Sequence, residues 1–371
     1  MKPNIIFVLL DGARYDRLDY SSEFSNLKNE GFLMNNVSTV FPYTSGSLNV
    51  IFSGKYGKEN GVNGYYKVLQ LKDSVQILPE ILQKSGYFTS RGIINDKLLS
   101  PRGYDVRTSH NEYKDDLNKI HPKLICDTFN NANNKPVFIF LQFSRMHTVT
   151  VSDTLKKYEW NDTIFYNQLD LNLKKYDETF KEAGMYAQKI KETIKKLGKE
   201  DETIIIFFAD HGTGMGERFG ERSYGSFTYD ETIRTFYYFW GHHIQQNKIC
   251  NTLKSTIDIL PTILDLCEIK NNLQLPGESF ANYITGSSNN IPENKYTFSE
   301  TGSLHGPFSS PEISNIFCIK TSTHKLIYNS FKNSWELYEI VKDKNEKFNL
   351  IGSSPLIENE LKEKLLNWIN R

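Results

Sequence analysis

Thr203-Ile204-Ile205-Ile206-Phe207-Phe208-Ala209-Asp210-His211-Gly212 decides how the rest of this 371-residue chain is read. From Thr203 to Phe208 every residue is β-branched or aromatic, which is how a strand buried on both faces of a sheet is written. The run ends in an acid and an imidazole. In an open α/β sheet ligands bind outside the carboxyl ends of the strands, so Asp210 and His211 stand where a metal or substrate would be held. Taken alone, the pair could equally cap a turn and fill space. Other segments of the chain supply the partners that favour chemistry.

A second run of the same kind, Asn4-Ile5-Ile6-Phe7-Val8-Leu9-Leu10, also finishes in an acid, Asp11, followed by Gly12. Farther on, Thr44-Ser45-Gly46-Ser47-Leu48-Asn49-Val50-Ile51-Phe52-Ser53-Gly54 predicts a short helix with Thr44 at its N-cap. Leu48, Ile51 and Phe52 share one face and Gly54 is its stop. A hydroxyl at a helix N-terminus stands beside free backbone N–H groups and the positive dipole end, both suited to a phosphate or sulfate.

The remaining elements alternate. Leu78 to Tyr87 predicts a helix with Pro79 in its first turn and Gly86 past its end, followed by a strand from Tyr87 to Ile94. Pro136 to Phe143 is another apolar strand, leading into His147. The stretch 145–172 is polar, aromatic and unpatterned, and is expected to be an active-site loop or lid. Leu173, Tyr176, Phe180, Ala183, Ala187, Ile190, Ile194 and Leu197 mark one face of a long helix that stops at Gly198. A glycine-rich loop from Gly212 to Gly225 carries Glu217, Arg218, Glu221, Arg222 and Tyr224. Phe236 to Trp240 predicts a strand, and Ser255 to Cys267 a helix interrupted by Pro261. This alternation argues an α/β domain over 1–294 with a large, mostly parallel sheet flanked by helices. Past residue 295 short strands at Ile316 to Lys320, Lys325 to Asn329 and Trp335 to Ile340, then a helix from Leu356 to Ile369, predict a small antiparallel α+β subdomain over 295–371.

Lys and Arg together number 44, as do Asp and Glu, so the formal net charge is zero and nothing in the balance points to nucleic acid or an anionic membrane. Cys126, Cys250, Cys267 and Cys318 are scattered, form no metal-clip spacing, and read as reduced core residues. No run approaches the ~18 apolar residues of a membrane span. Expectations are a cytoplasmic protein without a membrane partner.

The order of motifs resembles the sulfatase branch of the alkaline phosphatase superfamily over nearly the whole chain. The segments that carry the resemblance are IIFVLLDGARYDRL (Ile5 to Leu18), SGKYGKENGV (Ser53 to Val62), ILPEILQKSGYFTS (Ile77 to Ser90), FFADHGTGMGE (Phe207 to Glu217), YDETIR (Tyr229 to Arg234) and STIDILPTILDL (Ser255 to Leu266). KLIYN and WELYEI, in the last third, resemble the family's C-terminal subdomain. Registered by Ser53-Gly54, Thr44 falls where sulfatases carry the cysteine that matures to formylglycine. Threonine cannot undergo that maturation. The activating arginine becomes Leu48, the second early aspartate becomes Gly12, and an expected lysine and histidine become Ile93 and Asn95. A threonine nucleophile is instead similar to the phosphodiesterase, phosphonate hydrolase and phosphoryl-transferase branches.

The resemblance implies one divalent ion, Zn²⁺, Mn²⁺, Mg²⁺ or Ca²⁺, shared by Asp11, Thr44, Asp210 and His211, with Thr44 attacking phosphorus and the Ser45 N–H taking charge on the non-bridging oxygens. His147 and His305 are candidates for a second metal or the substrate; the family's aspartate for that site falls on Phe143, with Asp153 as a substitute. Arg222 and Tyr224 are candidate contacts to the phosphoryl group. The expected substrate is a small-molecule or glycan-linked phosphate or sulfate ester, its identity set by the loops at 63–72, 105–130 and 145–172. The alternatives are a sulfuric ester hydrolase without formylglycine and a non-catalytic sulfatase-like binding protein.

Overall fold

A computed structural model describes residues 2–96, 98–149 and 159–371. Nine strands build the large sheet: β1 (Asn4–Leu10), β2 (Phe32–Ser38), β3 (Phe88–Ile93), β4 (Val106–Ser109), β5 (Val137–Phe143), β6 (Thr203–Phe208), β7 (Arg234–Gly241), β8 (Lys248–Cys250) and β9 (Lys254–Ser255). They lie in the order β4-β3-β5-β1-β6-β7-β2-β8, with β9 also paired to β2. β1 is central and runs parallel to both β5 and β6. The sheet is mostly parallel, with β7 antiparallel to both its neighbours.

Every residue of β1, β5 and β6 is buried, because the sheet is covered on both faces. Side chains alternate between those faces. Ile5, Phe7 and Leu9 pack with Leu48, Ile51 and Phe52 of the helix Thr44–Ser53 and with Leu260 and Ile263. Ile6, Val8 and Leu10 pack with Phe180, Ala183, Ala187, Ile190 and Ile194 of the helix Leu169–Lys196. That helix begins four residues before Leu173, where its apolar stripe begins.

Four strands form the second sheet: β10 (Thr297–Thr301), β11 (Ile316–Lys320), β12 (His324–Asn329) and β13 (Ser334–Glu339), antiparallel and in sequence order. The helix Pro355–Ile369 packs on it through Leu361, Leu365 and Trp368. β10, Thr-Phe-Ser-Glu-Thr, was not expected from the sequence; its one large apolar residue leaves no alternation to read. The small sheet shares a core with Val40, Phe41, Tyr43 and Val50, and Glu300 N donates to the Val40 carbonyl at 2.7 Å. This contact steadies the segment that leads into the helix Thr44–Ser53.

Three local expectations need correction. Thr44 is the first residue of its helix rather than the cap; Tyr43, extended at φ −157°, takes the cap position without a side-chain bond. The threonine hydroxyl is therefore not spent on capping. Pro261 does not interrupt a helix: it is the third residue of Ile259–Leu266, where its missing N–H costs no intrahelical bond, and a 3₁₀ turn, Thr256–Asp258, precedes it. The described part of 145–172 contains helical turns at Arg145–Val149 and Thr163–Tyr166 and the start of the long helix, so it is not a continuous loop. Three of the four cysteines are buried, Cys126 is half-buried, and all four are free thiols. No helix among the described residues is long and apolar enough to cross a membrane.

Candidate active site

The site begins with sheet register. β1 and β6 run parallel with Leu9 opposite Phe208, so Asp11 and Asp210 leave adjacent strands at the same level. Both carboxylates are buried, at 1% and 0% exposure. Between them the chain must turn at Gly12, whose φ of +75° favours glycine, and an added Cβ there would lie 2.9 Å from Thr213 Oγ1. Gly12 N donates to Asp210 Oδ1 at 3.2 Å, and its carbonyl accepts from Tyr176 Oη and Thr213 Oγ1. An aspartate at this position would be strained as well as crowded.

Thr44 enters from the opposite wall. Its Oγ1 stands 3.2 Å from Asp11 Oδ1 and 3.2 Å from His211 Nε2. The first bond of its helix runs from Ser47 N to the Tyr43 carbonyl, so the N–H groups of Thr44, Ser45 and Gly46 precede the ladder and carry its positive end. Ser47 Oγ donates to the Asp210 carbonyl at 2.8 Å and pins the helix to the end of β6. His211 Nδ1 lies 2.7 Å from the Gly212 carbonyl, which can only accept; Nδ1 therefore carries the proton and Nε2 presents its lone pair to the site.

One oxygen or nitrogen from each of Asp11, Asp210 and His211 lies within 4.8 Å of the others, the only such group of three among the described residues. Asp210 Oδ2 is buried without a hydrogen-bond partner, 3.5 Å from His211 Nε2. Among the described residues His211 is the sole basic group within ion-pair distance of either carboxylate. Burial and the neighbouring Asp210 charge hold the Asp11 pKa above the usual carboxylate range, and burial pushes Asp210 up to about 6. Burial lowers His211 to about 4, so its imidazole is neutral at physiological pH. Two uncompensated carboxylates, an orphaned oxygen and a neutral imidazole fit a divalent cation, and this donor set accepts Zn²⁺, Mn²⁺, Mg²⁺ or Ca²⁺.

A cleft of about 320 Å³ opens onto Asp11 and Thr44. Ser45, His147 and Tyr224 line it. His147 Nε2 is 2.8 Å from Tyr224 Oη, and the Tyr224 ring lies 4.7 Å from that of His211. His305 is not among the residues lining the cleft; it stands edge-on to Tyr65, which does line it, with 6.4 Å between ring centroids. Arg222 is not brought to the cleft: its Nη1 donates to the Glu159 carbonyl and to Asp162, and its guanidinium covers Phe165. Phe143, where a second-site aspartate was sought, is a core residue against Tyr186, and Asp153 lies outside the described residues. Ile93 is buried in the core, whereas Asn95 lines the cleft.

Sequence reading missed Gln142. Its Nε2 donates to Asp11 Oδ2 at 2.6 Å while its Oε1 accepts from Ile94 N at 3.1 Å, so it fixes the Asp11 carboxylate. The available signal was a lone polar residue in the otherwise apolar run Val137–Phe143.

Residues 3–269 match the family model described as Sulfatase, and residues 220–371 match N-sulphoglucosamine sulphohydrolase, C-terminal. Among curated proteins, the Extracellular sulfatase SULF-1 homolog of Drosophila melanogaster is 25% identical over 117 residues, 32% of this chain and 10% of that protein. The next relative is covered over 33% of its length, so the chain spans well under two thirds of these two proteins. Among solved structures, a 2-O GAG sulfatase superposes with a TM-score of 0.80 at 18% identity, covering 100% of this chain and 92% of the other. The phosphonate monoester hydrolase of Agrobacterium radiobacter gives 0.78 at 15%, covering 99% and 95%. At such identities these two likenesses establish the shared fold.

Proposed function

The chain belongs to the sulfatase family of ester hydrolases, and we propose that it cleaves a phosphoric diester or monoester, or a phosphonate, with Thr44 as nucleophile. The observation that carries this reading is the position of Thr44 Oγ1, 3.2 Å from both Asp11 and His211 at a helix N-terminus. Asp11, Asp210, His211 and Thr44 would hold a divalent ion. When bound, such an ion neutralises the two carboxylates and makes the threonine hydroxyl more acidic.

Thr44 donates its hydroxyl proton toward Asp11 Oδ1 and attacks phosphorus in line. The Oγ1–P bond forms as the P–O bond to the leaving alcohol breaks, and the departing oxygen takes a proton from water or from the His147–Tyr224 pair. The N–H groups of Ser45 and Gly46 face the charge that grows on the non-bridging oxygens. Water then cleaves the phosphothreonine, returning Thr44 as its hydroxyl. Gln142 positions Asp11 throughout.

A second reading, sulfate-ester hydrolysis by the unmodified threonine, is favoured by the family match and by the sulfatases among the structural neighbours. Matched 4-nitrophenyl diester, monoester and sulfate, assayed with each of Zn²⁺, Mn²⁺, Mg²⁺ and Ca²⁺, separate the two. A phosphate mass trapped on the Thr44 peptide supports the first reading. Activity retained by Thr44→Ala excludes both. No turnover of any ester would favour a non-catalytic binding protein.

A further inference from the structure

Beyond Asp11, Thr44 and Ser45, the cleft is walled largely by carbon. Tyr65, Tyr66, Leu69, Ile94 and Leu98 line it, and no lysine or arginine does so among the described residues. Tyr66 and Leu69, 64% and 76% exposed, leave apolar surface open to solvent beside the reacting end. They belong to one short 3₁₀ segment, Tyr65–Gln70, in which Tyr65 and Tyr66 meet edge to face at 5.1 Å. Tyr43 packs on Tyr65 from below at 5.5 Å, so the platform is tied to the residue that precedes Thr44.

We propose that this wall is the subsite for the organic group of the substrate, and that it selects an ester of a flat apolar alcohol, an aryl ester above all, rather than a strongly hydrated sugar. This rests on the reading of Thr44 as the reacting end of the cleft. A substrate with its phosphorus at Thr44 must lay an organic substituent along the cleft, and an aromatic ring there removes apolar surface from water on both partners. A sugar ring would also stack on the tyrosines. Its hydroxyls, however, need several polar partners, and beyond the reacting end Asn95 and the tyrosine hydroxyls are what the described wall offers.

The test is equilibrium binding, by calorimetry on the Zn²⁺-supplemented full chain, of phenylphosphonate, methylphosphonate and glucose 6-phosphate. Phenylphosphonate is expected to bind on the order of tenfold more tightly than either of the others, the scale of burying one ring face. Tyr66→Ala and Leu69→Asp, both at exposed positions that the fold tolerates, should each shrink the phenyl-to-methyl ratio toward one. Equal binding of the two phosphonates, tighter binding of glucose 6-phosphate, no binding of any probe, or an unchanged ratio in both variants overturns the inference. Turnover of 4-nitrophenyl phosphate is measured in parallel, because the two phosphonates carry no ester bond for Thr44 to break. Phenyl selectivity without hydrolysis would sink the Thr44 reading and leave the subsite standing, whereas hydrolysis without selectivity would do the reverse.

Discussion

Thr44 Oγ1 lies 3.2 Å from His211 Nε2, on an imidazole whose Nδ1 is held by the Gly212 carbonyl. The two residues are far apart in sequence and belong to different walls of the site, one a helix start and one a strand end. Their contact places an unmodified hydroxyl among the donors that fit a divalent ion.

Thr44→Ala should lower kcat/KM by about a thousandfold or more, because the nucleophile is removed while Asp11, Asp210 and His211 remain. Thr44→Ser keeps the hydroxyl and should retain a measurable part of the activity. Steady-state rates on a 4-nitrophenyl ester decide it; equal loss in both variants would mean that the methyl group, not the oxygen, matters at this position.

Addition of the native ion should raise the melting temperature, since an ion bound only to the folded chain contributes about 2.7 kcal/mol at a hundredfold excess over its Kd. Asp210→Asn should abolish that rise. It should not destabilise the metal-free protein, because it removes a buried, unpartnered carboxylate oxygen. Thermal melts with chelator and with Zn²⁺ or Mn²⁺ check both statements. A metal-dependent rise that survives in Asp210→Asn would place the ion elsewhere.

Gln142→Leu leaves Asp11 Oδ2 and the Ile94 N–H without their partner, at a cost of about 1–3 kcal/mol. Metal affinity should fall about 10–100-fold, the usual effect of losing a group that orients a ligand. Titration calorimetry on a folded variant reads this directly, and unchanged affinity would show that Asp11 needs no such support.

Gly12→Ala should destabilise the fold by about 1–3 kcal/mol, since φ is +75° and the new Cβ meets Thr213 Oγ1. Denaturant unfolding is the check. A neutral outcome would mean that the turn between Asp11 and Ala13 can relax.

Glu221 is buried, and burial pushes its pKa up to about 8 although its carboxylate accepts from Ser226 N and Phe227 N. The folded chain therefore keeps a proton that the unfolded chain releases above its own value near 4.5. Stability from this group is greatest below that value, falls as pH rises toward about 8, and is flat beyond. Glu221→Gln should flatten the decline of melting temperature between those limits relative to the wild type. Parallel slopes would assign the dependence to other buried carboxyls such as Glu231 and Glu300.

Much of the fold was legible because its signals are local. The apolar runs at Asn4–Leu10, Val137–Phe143 and Thr203–Phe208 are strands, and the stripe from Leu173 to Leu197 is the helix that covers one face. β10 was hidden by its polar composition, and the direction of β7 is not written in its residues, because an antiparallel and a parallel neighbour bury the same apolar faces. Arg222 looked like a phosphoryl contact from its loop; Glu159 and Asp162, brought against it by the fold, occupy it instead.

Residue order alone is enough to read two buried strands ending in Asp11 and Asp210, His211 after the second, and a threonine at the start of a short helix between them. Periodicity and polarity suffice for that, since each strand and helix must bury its own apolar face. That β1 and β6 are adjacent and in register, that the helix start meets their ends at hydrogen-bond distance, and that Gln142 holds Asp11 emerges from the folded chain. Those facts depend on strand order and on packing between segments 33 to 198 residues apart, where a few ångströms separate a cluster of donors from three unrelated polar residues.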